Sequence, residues 1–227
     1  MTNITEEFYT SLKEIISNEK KFSIKFYIID DEVETKLENA IDMIFDSYGK
    51  KDIAGIVYTC IKELIINGTK ANLKRVLFEL NDININREED YAKGMYNFKN
   101  TLTENNAIKY LKNLKEKELY ILVKFEYNKE GVKIEVINNS HITTIEDKRL
   151  RDKLKQAMEY EDIAQFYMDK SDEQEGAGMG IALLVILIKG LNIDPNLLRI
   201  GNTNDGNTLA RIEIPLTDNY INSRKNA

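Results

Sequence analysis

Residues 56–80 read IVYTCIKELIINGTKANLKRVLFEL, and apolar side chains recur so densely that a helix built from them is covered over most of its circumference. An interior helix should carry few polar groups. Glu63, Asn67 and Lys70 nevertheless stand four and three residues apart, so at about 100° per residue they fall within about 60° of one another on one face. Their chemistry suits a metal-bound phosphate. Asn67 offers a neutral oxygen for Mg²⁺, which favours oxygen ligands and takes much of its shell from water and substrate phosphates. Glu63, one turn earlier, would orient and deprotonate a water or hydroxyl attacking that phosphate, and Lys70, one turn later, would face it as a point charge.

About a hundred residues downstream, residues 175–185 read EGAGMGIALLV: Gly176, Gly178 and Gly180 alternate and run into an unbroken apolar segment. Glycines let a backbone approach a ligand closely, and a helix beginning at about Ile181 would aim its free N–H groups and positive dipole end at an anion. Two common phosphate loops are excluded. A P-loop needs Lys and then Ser or Thr after its last glycine, where this chain has Ile181 and Ala182; a dinucleotide fingerprint needs a strand before the glycines, where this chain has the charged YMDKSDEQE.

Taken together, the two blocks resemble the GHKL superfamily of gyrase-type topoisomerases, heat-shock chaperones, sensor histidine kinases and mismatch-repair ATPases. In that family the N box is a helix with Glu and then Asn four residues on, as Glu63 and Asn67 are, and histidine kinases add Lys where Lys70 stands. The second glycine box matches Gly176, Gly178 and Gly180 followed by Ile181, with Met179 inside it, and the stretch GNTLARIEIP from Gly206 to Pro215 is similar to the family's Gly-Thr strand, which puts Thr208 at the nucleotide. The first glycine box departs from the pattern. There VKIEVI leads to Asn138, Asn139, Ser140, His141 and Ile142, so Asn138 replaces the Asp that accepts from the adenine amino group, and both glycines are missing. Asn138 would still accept through its carbonyl oxygen, without the charge.

The resemblance implies an α+β fold, a two-layer α/β sandwich called the Bergerat fold, with a mostly antiparallel sheet, helices on one face and a helical insertion. It implies ATP and Mg²⁺ as cofactors, with Glu63 catalytic, Asn67 on the metal, and Lys70, Asn138, Gly176, Gly178, Met179, Gly180 and Thr208 binding the nucleotide. Residues 1–23 form an amphipathic helix, 24–216 the ATP-binding domain with its insertion at 81–117 and an ATP lid at 144–174, and 217–227 a tail. The expected activity is that of a stand-alone ATPase or of a protein serine/threonine kinase like the anti-sigma-factor kinases. A histidine autokinase is not expected, because the single His, His141, lies after the N box. Two other readings stay open: a nucleotide-gated protein-binding module, and a scaffold that has lost nucleotide. Partners are ATP or ADP and a protein, regulatory in kind, with a homodimer also open.

Composition narrows the setting. A chain of 227 residues with 42% hydrophobic content buries a sizeable core, and a net charge of −6 argues against nucleic acid or an anionic membrane as partner. No apolar run is long enough to span a bilayer, and the lone Cys60 suits a reducing cytoplasm. Each candidate also has an ordinary reading: Glu63 as a salt-bridged helix residue, Lys70 as a surface charge, Cys60 as a small core side chain, His141 as a loop residue. Elsewhere, Phe8, Leu12, Ile15 and Ile16 mark the first helix; KFSIKFYII alternates like a strand; residues 33–48 form a helix; Asp52 caps the N-box helix; 144–174 is helical; and Asn128 to Gly131 turns a hairpin.

Overall fold

The structure, a computed structural model, describes residues 2–101, 104–160, 162–170 and 179–223. Five strands, β1 (Phe22–Phe26), β2 (Ile121–Asn128), β3 (Gly131–Asn138), β4 (Leu198–Asn202) and β5 (Thr208–Pro215), make one sheet in the order β1-β2-β3-β5-β4. Every pairing is antiparallel. The alternation of β2 sends Ile121, Val123, Phe125 and Tyr127 to one face and Lys124 and Glu126 to the other, so the strand has one apolar and one charged side. Cross-strand pairs such as Val123 with Val136 and Ile134 with Ile212 extend that apolar face across the sheet.

Helices cover the apolar face and leave the other polar, giving the two-layer α+β sandwich that the resemblance implies. The helices are α1 (Thr2–Ser17), α2 (Asp31–Ser47), α3 (Lys51–Leu80), α4 (Glu88–Thr101), α5 (Leu111–Glu116), α6 (Thr144–Met158), α7 (Ile163–Lys170) and α8 (Met179–Gly190), with a 3-10 segment Glu104–Tyr110 before α5. α3 carries Glu63, Asn67 and Lys70. Ala54, Val57, Ile61, Leu64 and Ile65 bury its first half in the main core, and Leu73, Val76 and Leu77 bury its last turns in a second, smaller core with Phe98 and Leu114 of the insertion. The insertion is therefore packed onto α3. Gly68 lets the middle of α3 come close to the sheet, since even a Cβ there would lie 3.0 Å from Ile121 Cδ1.

Several local expectations need correction. Asp52 does not cap α3; the cap position is Lys50, whose side chain makes no capping bond, and Asp52 sits in the first turn, where its charge still favours the helix dipole. β1 stops at Phe26, well short of Ile29. Residues 144–174 are not one helical run, because α6 ends at Met158 and α7 begins at Ile163, with Asp162 Oδ1 accepting from the Gln165 N–H at 2.8 Å. α8 starts at Met179, two residues ahead of Ile181. The tail is docked over residues 216–223: Tyr220 lies over Gly131, and its hydroxyl and the Ser223 N–H both donate to the buried Glu213 carboxylate on the polar face.

Candidate functional site

The first candidate group sits on α3 where it meets the start of α8. Asn67 Nδ2 donates to Glu63 Oε1 at 3.0 Å, so the amide nitrogen is spent on the carboxylate and Asn67 Oδ1 is the atom left for another ligand. Gly180, the second residue of α8, packs directly on Glu63. A Cβ at that position would overlap Glu63 Oε1 and Cδ and stand 3.0 Å from Cγ, so any larger residue would force the Glu63 carboxylate to shift. Burial holds the Glu63 carboxyl above the usual carboxylate range, against the opposing charge of Lys70 and the Asn67 hydrogen bond. Lys70 itself is exposed. Glu63, Asn67 and Gly180 are thus in one place, and Met179 opens the helix beside them; Gly176 and Gly178 lie outside the described residues.

A second group lies about 8 Å further along α3, where the ends of β3 and β5 reach the helix. Asn138 and Thr208 are directly opposite each other in the ladder, and both are buried. Thr208 Oγ1 donates to the Ser140 carbonyl at 2.6 Å, while Asn138 Nδ2 donates to Ser140 Oγ at 2.9 Å and to Asn72 Oδ1 at 3.3 Å. Asn72, fully buried on α3, passes its own amide N–H to the Tyr120 carbonyl at 3.1 Å. Sequence reasoning missed Asn72. The signal was present, since an amide amid Thr69, Leu73 and Val76 on a buried helix has to find partners.

A third group closes the end of the site. Glu146, in the first turn of α6, accepts from Lys74 Nζ at 2.5 Å and from both Arg75 Nη atoms, and completes a capping box with Thr143. Burial would raise its carboxyl, but Arg75 and Lys74 outweigh that and hold it down at about 2. Arg75 also donates to the carbonyl of His141, whose ring is exposed. At the other end of α6, Lys189 of α8 donates to the Met158 and Tyr160 carbonyls at 2.8 Å each. The first half of the expected lid is therefore tied at both ends to the two helices that carry the site. The Thr143-x-x-Glu146 spacing was a readable cap; its pairing with Lys74 and Arg75 across 71 or 72 positions was not.

The donor set fits Mg²⁺ better than a metal caged wholly by protein. Among the described residues no group of three or more His, Cys, Asp and Glu side chains is placed to hold an ion. Asn67 Oδ1 with Glu63 beside it is the kind of sparse oxygen set that Mg²⁺ completes with water and phosphate.

Comparison with known proteins adds extent but no role. No protein-family profile matches the chain, and no solved structure matches it. A protein of Treponema pallidum (strain Nichols), described as uncharacterized, is 29% identical over 204 residues. That match takes in 90% of this chain and 39% of the relative, so the chain spans well under half the length of the protein it resembles. Among the described residues no helix is long and apolar enough to cross a membrane.

Proposed function

We propose that this chain is a GHKL-type nucleotide-binding domain that takes ATP with Mg²⁺ and passes the terminal phosphoryl group to water or to a protein hydroxyl, as an ATPase or an anti-sigma-type serine/threonine kinase. One observation carries the reading: Gly180, at the start of α8, is pressed against Glu63 of α3, across more than a hundred residues of sequence. Two blocks chosen for phosphate chemistry on separate grounds meet at one carboxylate.

Each side chain then has a task. Asn67 would hold the metal through Oδ1, and bound there Mg²⁺ would neutralise charge on the phosphates. Glu63, with its proton affinity raised by burial, is suited to take a proton from the attacking hydroxyl. Lys70 supplies positive charge from one turn away; Asn138 and Thr208 stand at the base end, and Met179 and Gly180, joined in sequence to Gly176 and Gly178, stand at the phosphate end. Because the Glu63 carboxylate already faces the first turn of α8, bare phosphate would be repelled, and nucleotide binding should require the divalent cation.

A second reading, a nucleotide-gated protein-binding module, is favoured by the ties of α6 to α3 and α8, through which a ligand at the site would reposition a surface helix. The partner in either case is a regulatory protein or a second copy of the chain, met in the cytoplasm, where a single buried Cys60 stays reduced. Calorimetry with a non-hydrolysable ATP analogue tests the proposal. Binding is expected with Mg²⁺ and not with EDTA, and Asn67→Ala should lose the Mg²⁺-supported heat; no heat from the wild type at millimolar analogue with Mg²⁺ would overturn the nucleotide reading in favour of a scaffold.

A further inference from the structure

We propose that Asn72 is a positioning residue: it fixes the Asn138 amide with its oxygen unclaimed, and so selects a nucleobase bearing an exocyclic amino group. The inference rests on the nucleotide-binding reading above. A neutral amide at position 138 can face a base in two ways, as donor or as acceptor, and the choice reverses which base it accepts. Here the neighbours decide. Asn138 Nδ2 meets three acceptors, Ser140 Oγ at 2.9 Å, the Ser140 carbonyl at 3.3 Å and Asn72 Oδ1 at 3.3 Å. Turning the amide over would point Oδ1 at two oxygens that cannot donate and one hydroxyl.

Asn72 cannot adapt to the flip, because its own orientation is set from both sides. Its nitrogen donates to the Tyr120 carbonyl at 3.1 Å, and its oxygen also accepts from Ser140 Oγ at 2.9 Å. Asn72 is 0% exposed and Asn138 4%, so no solvent is at hand to replace a lost partner. The consequence is an oriented acceptor. Among the described residues Asn138 Oδ1 accepts no hydrogen bond, and the neighbour it faces on α3 is Gly68, which has no side chain to cover it; a Cβ there would stand 3.6 Å away, in van der Waals contact. Thr69 Oγ1, one turn before Asn72, is buried and also without a partner among the described residues, a second polar group for a ligand or water to satisfy.

An acceptor at this point attracts an amino group and repels a carbonyl oxygen. It also means that Asn138→Asp is no simple improvement. A carboxylate would confront Asn72 Oδ1 and the Ser140 carbonyl, and Asn72 could turn to meet it only by abandoning the Tyr120 carbonyl.

The test compares binding of Mg²⁺ complexes of non-hydrolysable ATP and ITP analogues to the full chain, since ITP carries a carbonyl oxygen where ATP carries the amino group. The wild type should favour the ATP analogue by about tenfold or more, and Asn72→Ala should bring the ratio within about threefold while triphosphate binding persists. Where Asn72→Ala fails to fold by circular dichroism, Ser140→Ala removes the hydroxyl acceptor instead and should narrow the same ratio. Equal binding of the two analogues by the wild type, or an unchanged ratio in the folded variants, would overturn the inference while leaving the nucleotide reading intact. Failure of both analogues to bind would overturn the two together.

Discussion

Glu63 on α3 and Glu146 packed against it are both largely withdrawn from water, and the helix treats them in opposite ways. Glu63 has one amide donor and one cation about two turns away, so burial prevails and its proton is held more tightly than usual. Glu146, brought in by α6, has Lys74 and Arg75 in direct contact, so the same burial is overcome and its carboxyl titrates at about 2. The first is left chemically unfinished, and the second is satisfied on every side. Burial alone therefore says little about the role of an acid; what decides is whether partners of opposite charge were folded in with it.

The comparison would break first at Glu63. Glu63→Ala should cut turnover by about a hundredfold or more while Mg²⁺-dependent binding of the ATP analogue is kept or tightened, since a negative charge leaves the phosphate end. Steady-state phosphate release and calorimetry on the same preparation read both. Unchanged turnover would move the protein toward the gated module.

Next in size is Glu146. Glu146→Gln should cost about 2 kcal/mol in urea denaturation near neutral pH, because it strips two half-buried cations of their partner. With its folded pKa below the unfolded value, this contribution is fully present above about pH 5 and is lost as pH falls toward 2. Glu63 has the opposite sign: its raised folded pKa makes the native state lose stability as pH rises through the interval between the unfolded and folded values. Urea titrations across acid pH on Glu63→Gln and Glu146→Gln should therefore deviate from wild type in opposite directions, and parallel deviations would erase the contrast.

Gly180→Ala sharpens the contrast with the smallest effect. Its methyl group would collide with the Glu63 carboxylate, which would have to shift from its place beside Asn67. A loss of about 1–2 kcal/mol in stability is expected, with weakened analogue binding. Glu63→Ala in the same chain should restore the stability, which a melting curve of the double variant checks.

Much of the sandwich was legible because its signals are local. The alternation in β2, β3 and β5 and the dense apolar content of α3 gave each element its length and its buried face. Glu63, Asn67 and Lys70 were legible for a related reason, as polar residues where periodicity demanded apolar ones. The Lys74, Arg75 and Glu146 cluster was not, since two cations on a helix look like solvated charges until the partner helix is placed. Asn72 was hidden differently: its three partners, Asn138, Ser140 and Tyr120, come from strand ends far along the chain. The docking of Tyr220 over Gly131 depended likewise on register, which composition does not carry.

The length of α3 has a mechanical consequence. Its 30 residues, at about 1.5 Å each, make a rod of about 45 Å whose two halves are embedded in different cores. Neither core can melt without fraying the strut that the other depends on. Heating should then give a single calorimetric transition, and the amides slowest to exchange with deuterium should lie mid-rod, around Leu64 to Leu73, where a disturbance from either end arrives last.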